Sequence, residues 1–95
     1  MKQLIVGYVG MSHLGLNYAV ATASKKFKVI CYDEDILKIN LLKKKLSPIF
    51  EKNLEKNIRL NFSNLKFTNN ISDLKQCDNV YISQDVSTEK SGKSD

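Results

Sequence analysis

Apolar residues along the chain fall into short, nearly continuous runs separated by longer segments of mixed character. The run at residues 3–9, QLIVGYV, has the length and unbroken apolar character of a strand covered on both faces. Residues 13–24, HLGLNYAVATAS, are rich in alanine and leucine and predict a helix packed on that strand. Residues 27–33, FKVICYD, are β-branched and aromatic and predict a second strand.

The remainder of the chain continues this alternation. Asp35 is positioned to cap a second helix, and Ser47-Pro48 to end it. The apolar stripe of that helix consists of Ile36, Ile39, Leu42 and Leu46. Further along, the pattern predicts a short helix at residues 51–60, a strand at 65–68, a helical turn with Ser72 as its cap, and a strand at 79–83. Strands alternating with helices indicate an α/β fold with a parallel sheet and right-handed connections.

Three glycines near the end of the first strand, Gly7, Gly10 and Gly15, allow two positions for the turn into the helix. If the turn were GYVG (7–10), Gly15 would lie inside the helix, at a cost of about 1 kcal/mol relative to alanine. If the turn is GMSHLG (10–15), the strand keeps its apolar run. Gly15 then falls in the first helical turn, where close packing on the strand leaves no space for a side chain. We therefore predict that the strand gives way to the helix over residues 10–15.

A strand, a glycine-rich turn and a helix in this order predict a phosphate site. The amides of Ser12, His13 and Leu14 would point at a pyrophosphate, and the helix dipole adds partial positive charge. Asp33 ends the second strand 18 residues after Gly15, near the ~20-residue spacing of a ribose-binding carboxylate. Because that carboxylate would repel a 2′-phosphate, the pattern favours NAD over NADP.

Ser12 departs from the dinucleotide motif, since it stands where G-x-G-x-x-G has its middle glycine. Its Cβ reduces the clearance for a pyrophosphate, while its hydroxyl can bind a phosphate oxygen. His13 has an alternative interpretation as an exposed residue at the start of the helix. The candidate cofactor-binding residues of the turn and the second strand are Gly10, Met11, Ser12, His13, Leu14, Gly15 and Asp33.

The motif and the alternation together predict an α/β fold class. It is a partial Rossmann fold, with a parallel sheet of about four strands and flanking helices. We expect a half-domain over residues 1–84 and a polar loop, the truncated end of a longer domain, over residues 85–95.

Composition narrows the classes of partner. The net charge of +5 owes much to the lysine run at residues 43–45. Lysines at a helix end form a solvated face, and no aromatic residues are interleaved with them as a base-stacking surface would require. We therefore expect no nucleic-acid partner. No apolar run approaches the ~18 residues of a membrane span, and the N-terminus lacks a signal peptide, which indicates a cytoplasmic protein. Cys31 and Cys77 are expected to be reduced thiols, with a disulfide between them as the alternative, and their spacing matches no metal motif.

The chain resembles the N-terminal NAD-binding domain of nucleotide-sugar 6-dehydrogenases, of the UDP-glucose and UDP-N-acetylmannosamine dehydrogenase type. The segment YDEDILKI is similar to that family's acid followed five residues later by a lysine, and the resemblance assigns adenosine-ribose contacts to Asp33 and Lys38. LSPIFEKNL is similar to its Pro-Ile-aromatic-Glu segment, and LKFTNNISDLKQCDNVYIS to its strand, short helix and strand. Where the family has Gly-Thr-Pro after the fourth strand, this chain has Asp85, Val86 and Ser87, so the usual threonine contact is missing unless Thr88 replaces it.

The resemblance implies a twofold NAD-dependent oxidation of the C6 alcohol of a nucleotide sugar, through a cysteine-bound intermediate. The nucleophile lies downstream of the residues present, so no catalytic residue is assigned and this chain alone is expected to be inactive. Two alternatives stay open: the N-terminal unit of a related hydroxyacid dehydrogenase, and a non-enzymatic module that senses NAD or adenine nucleotides. We also expect the fourth strand to present an unpaired apolar edge that favours a homo-oligomer.

Overall fold

The computed structural model describes residues 3–83, and the predicted alternation of strands and helices is present over that range. The strands are β1 (Ile5–Val9), β2 (Lys28–Tyr32), β3 (Leu65–Thr68) and β4 (Asn79–Ile82). The helices are α1 (His13–Ser24), α2 (Ile36–Lys43) and α3 (Leu54–Leu60), with 3₁₀ helices at Phe62–Asn64 and Ile71–Gln76. The predicted polar loop at 85–95 and its contacts at Asp85–Thr88 lie outside the described residues.

The four strands form one parallel sheet in the order β3-β2-β1-β4. The chain moves outward from β1 to β2 and β3, then returns to the other side of β1. The strand order therefore reverses between β1 and β4, which is the position where open α/β sheets bind ligands. The predicted partial Rossmann fold is confirmed.

The core lies between the sheet and the three α-helices. Alternate β1 side chains, Val6 and Tyr8, are buried on the face that carries α1, as the period-2 geometry of a strand requires. The Tyr8 hydroxyl makes a 2.7 Å hydrogen bond with the Thr22 hydroxyl of α1, so the polar end of this core tyrosine is satisfied. Fully buried side chains on the helices and the turn complete this core: Met11, Leu16, Ile39, Leu42 and Ile58.

Helix α2 begins as predicted but ends earlier than predicted. The Asp35 carboxylate caps it by accepting from the amides of Leu37 and Lys38, at 3.0 and 3.3 Å. We predicted that the helix continues to Ser47-Pro48, whereas its last residue is Lys43. The predicted stripe is accordingly only half buried, with Ile39 and Leu42 in the core and Ile36 and Leu46 exposed.

The cause of the early end is a C-terminal capping motif. Lys45 has a positive φ of 67°; its amide donates to the Leu42 carbonyl at 2.9 Å, and the Leu46 amide donates to the Leu41 carbonyl at 3.0 Å. These are the two hydrogen bonds of a Schellman motif. A lysine occupies the position that usually holds glycine, so the sequence carried no stop signal there.

Two other element boundaries also differ from prediction. The helix predicted at 51–60 begins at Leu54, because the preceding Asn53 has a φ of 70° and cannot join the helix. The turn before β4 is a 3₁₀ helix capped by Asn70, whose side chain accepts from the Ser72 amide at 3.1 Å. We predicted Ser72 as the cap, and this was wrong by two residues. Asn and Ser both cap helices, so the residue types alone did not distinguish Asn70 from Ser72.

The two cysteines pack on opposite faces of the sheet. Cys31 pairs in register with Tyr8 and shares the core with it. Cys77 lies on the other face, where a Cβ added to Gly7 would be 2.7 Å from its sulfur. Both are free thiols, as expected, and the sheet between them accounts for the absence of a disulfide.

Within residues 3–83, no helix combines the length and the apolar character that crossing a bilayer would require.

Candidate cofactor-binding site

The glycine-rich turn lies at residues 10–15, which confirms GMSHLG over GYVG. β1 ends at Val9 and α1 begins at His13. The Gly10 amide donates to the Tyr32 carbonyl at 2.8 Å and so ties the turn to the end of β2. Gly10 has a φ of 97°, and a Cβ there would lie 2.6 Å from the Ser83 carbonyl oxygen. Both the conformation and the space therefore require glycine.

Gly15 allows α1 to approach the turn closely. A Cβ on Gly15 would overlap the Gly10 carbonyl oxygen and would lie 3.0 Å from the Ser83 Cβ. The predicted role of this glycine in close helix packing is therefore seen directly.

Ser12 is the N-cap of α1, and its hydroxyl accepts from the Gly15 amide at 3.3 Å. Within residues 3–83, the amides of Ser12, His13 and Leu14 have no protein acceptor, as expected for the first turn of a helix. Three free amides, a hydroxyl and the positive end of the dipole form a donor set suited to an anionic phosphate.

Asp33 joins three elements at the carboxyl end of the sheet. Its Oδ2 accepts from the Met11 amide at 2.8 Å, and its Oδ1 accepts from the Asp35 amide at 2.9 Å. The Lys38 ammonium of α2 lies 3.7 Å from Oδ2. A carboxylate oxygen has two lone pairs, so each oxygen keeps acceptor capacity for a ribose hydroxyl.

Met11 and Leu14 are placed differently from each other. The Met11 side chain is fully buried, so its part in the site is the amide that orients Asp33. Leu14 is exposed at the rim of a cavity of about 290 Å³ between α1 and β4, which Tyr18 and Tyr81 also line. Met11 therefore contributes its backbone amide to the site, whereas the side chain of Leu14 is exposed beside it.

His13 has a partner that sequence reasoning missed. Its Nε2 lies 2.6 Å from the Glu51 carboxylate, which also accepts from the Asn17 side chain at 3.0 Å. These contacts tie the Pro-Ile-Phe-Glu segment to the first turn of α1. The family resemblance included Glu51, but no pattern in the sequence predicted its contacts with His13 and Asn17.

Ser83, directly after β4, is a second residue that sequence reasoning missed. Its carbonyl faces Gly10 and its side chain faces Gly15, so it forms one wall of the turn. Nothing in the local pattern separates it from an ordinary loop serine; only the pairing of β4 with β1 brings it here.

Neither cysteine is prepared to act as a nucleophile. Burial, with a smaller effect from Cys77, raises the pKa of the Cys31 thiol far above its usual range. Burial, followed by the charge of Asp78, also raises the pKa of Cys77. The reactive form of a cysteine is the thiolate, so both side chains act as packing groups.

The sheet, the glycine-rich turn and the acid at the end of β2 define a dinucleotide-binding Rossmann unit. Residues 4–95 match the NAD binding domain of the UDP-glucose/GDP-mannose dehydrogenase family, and the chain belongs to this family. The predicted family and the predicted cofactor, NAD, are thereby confirmed.

Curated relatives are similar to the chain in sequence, and solved structures share its fold. The UDP-glucose 6-dehydrogenase of Rickettsia typhi is 31% identical over 93 residues, which are 95% of this chain and 21% of that protein. A ternary complex of GDP-mannose dehydrogenase from Pseudomonas aeruginosa has the same fold, with a TM-score of 0.83 at 23% identity over 92% of this chain and 21% of that one. The chain therefore spans about one fifth of the length of these proteins.

The hydroxyacid-dehydrogenase alternative has weaker support. The (S)-3-hydroxybutyryl-CoA dehydrogenase PaaH1 of Ralstonia eutropha overlays 94% of this chain, and 34% of that chain, with a TM-score of 0.62 at 20% identity. The general fold is shared, and the family match over residues 4–95 does not favour this alternative.

Proposed function

We propose that the chain binds NAD with the adenosine ribose on Asp33 and the pyrophosphate on the first turn of α1. The Ser12, His13 and Leu14 amides and the Ser12 hydroxyl would hold the phosphates, while Gly10 and Gly15 permit the close packing that shapes the turn. The observation that carries this proposal is the Asp33 carboxylate, oriented by the Met11 amide and the Lys38 ammonium. When bound, NAD would supply a hydride acceptor; the residues described here bind and orient it.

Isothermal titration of NAD and NADP against the chain tests this proposal. NAD should bind more tightly, because Asp33 repels a 2′-phosphate. Asp33→Ala should weaken NAD by roughly 1–3 kcal/mol, the value of hydrogen bonds to a charged group. Glu34→Ala, which removes the exposed acid next to it, is the matched control and should leave the affinity unchanged. Equal affinities for both cofactors, or an unaffected Asp33→Ala, would contradict the assignment.

We also propose that this domain serves the NAD-dependent oxidation of a nucleotide sugar at C6, in the cytoplasm. Membership of the UDP-glucose/GDP-mannose dehydrogenase family and the similarity to the UDP-glucose 6-dehydrogenase of R. typhi support the oxidation. An assay of any longer gene product should yield two NADH per nucleotide sugar. A stoichiometry of one would mean that the oxidation stops at the carbonyl level, which would contradict this proposal.

A third proposal concerns assembly. All four residues of β4 are exposed, and such an edge offers unpaired backbone groups to a second copy. We expect the chain to self-associate through β4, and light scattering over a concentration series should show it. Ile82→Lys on β4 should abolish association, whereas Ile71→Lys, equally exposed but outside the strand, should not. Association unchanged by Ile82→Lys would place the contact elsewhere.

A further inference from the structure

Ser83 lies where the ends of two neighbouring strands meet the glycine-rich turn. Its amide donates to the Val9 carbonyl at 2.9 Å, which extends the β1–β4 pairing one residue beyond Ile82. β1 and β4 flank the point where the strand order reverses. Ser83 therefore stands at the mouth of the crevice in which the cofactor is proposed to bind.

The position of Ser83 is well defined by its packing. Its carbonyl leaves no room for a side chain on Gly10, and its Cβ and Oγ would lie 3.0 and 3.1 Å from a Cβ on Gly15. The residue is half-buried. Its hydroxyl is thus held against the same turn that carries the proposed phosphate donors.

Two hydroxyls lie close together here, one from the turn after β1 and one from the residue after β4. Ser12 Oγ and Ser83 Oγ are 3.4 Å apart, longer than the 2.7–2.8 Å of a well-formed O–H···O bond. Ser12 Oγ accepts from the Gly15 amide, which leaves its own proton to donate. Two donors at this separation can both reach one oxygen placed about 2.8 Å from each.

We propose that Ser83 is a cofactor-binding residue that donates, together with Ser12, to a single phosphate oxygen of NAD. This inference rests on the proposed function. It also assigns a physical role to Ser12, which stands in place of the middle glycine of the dinucleotide motif. The middle glycine of the motif serves a close backbone approach; here the Ser12 Cβ limits that approach, and the paired hydroxyls reach the phosphate instead.

The test is a double-mutant cycle on NAD affinity, measured by titration of the full chain. Ser12→Ala and Ser83→Ala should each weaken NAD about tenfold, the effect of one hydrogen bond to a charged acceptor. The double variant should lose less than the product of the two single effects, because both donors serve one oxygen. Ser63→Ala, which alters an exposed serine of a 3₁₀ helix, is the control and should bind like the wild type.

Adenosine separates a phosphate contact from a structural role, since it lacks the phosphates. Its weak binding, followed by NMR shifts, should be the same in the wild type and Ser83→Ala. Ser83→Cys keeps the size but has a poor donor, and should resemble Ser83→Ala. If Ser83→Ala binds NAD like the wild type, or loses adenosine equally, this inference is overturned while the proposed function stands. If the wild type does not bind NAD, both are overturned.

Discussion

β1 and β4 are neighbouring parallel strands that differ sharply in burial. Four residue pairs join them in register, and Tyr8 of β1 stacks on Tyr81 of β4 with ring centroids 5.5 Å apart. Yet Tyr8 is 8% exposed, whereas Tyr81 is 54% exposed. Pairing in a sheet therefore does not by itself bury a strand.

The difference comes from the layers on either side. α1 packs across β1 and β2, while among the described residues β4 has β1 on one edge and no strand on the other. A helix covers a strand only where the two backbones can approach closely. Gly15 allows this approach at the turn that follows β1, whereas the exposure of β4 follows from its position at the edge of the described sheet.

The largest effect should come from Gly15→Ala, which alters the helix that packs on the buried strand β1. By helix propensity alone, alanine would stabilise α1 by about 1 kcal/mol. The overlap of its Cβ with the Gly10 carbonyl should reverse the sign and destabilise the fold by about 3 kcal/mol or more. Urea unfolding followed by circular dichroism measures the difference.

Ala21→Gly, at an exposed position of the same helix, is the control for Gly15→Ala. It should cost about 1 kcal/mol, the propensity difference without a clash. A Gly15→Ala variant that is as stable as the wild type would show that α1 does not need to approach β1 this closely.

Features set by local chemistry were predictable from the sequence. The glycine-rich turn was found because Gly10 and Gly15 are spaced for one strand-to-helix turn, and the bounds of α1 followed. The Asp35 cap was predicted because a carboxylate before an apolar stripe satisfies free amides. Asp33 was predicted by its spacing from the turn, and it lies at the end of β2 beside Met11; its contact with a ribose stays a prediction.

Other features were not predictable. The end of α2 is a local feature, but it depends on a left-handed conformation at Lys45 that lysine rarely adopts. Contacts between residues far apart in sequence were also hidden. Glu51 meets His13 across 38 positions of sequence, and Ser83 meets Ser12 across 71. Such pairs become visible only when the sheet order is known, so these two residues of the candidate site, Glu51 and Ser83, required the fold.

The smallest effect should appear at β4, in a matched pair of isoleucines. Ile30 on β2 is 4% exposed and Ile82 on β4 is 65% exposed. Ile30→Ala should cost roughly 2–4 kcal/mol of unfolding free energy, through lost burial and a cavity. Ile82→Ala should cost less than about 1 kcal/mol, because its side chain already meets solvent. Both are measured by urea unfolding at low protein concentration, so that self-association adds nothing. If Ile82→Ala proves as costly as Ile30→Ala, then β4 is covered in solution and the contrast between the two strands disappears.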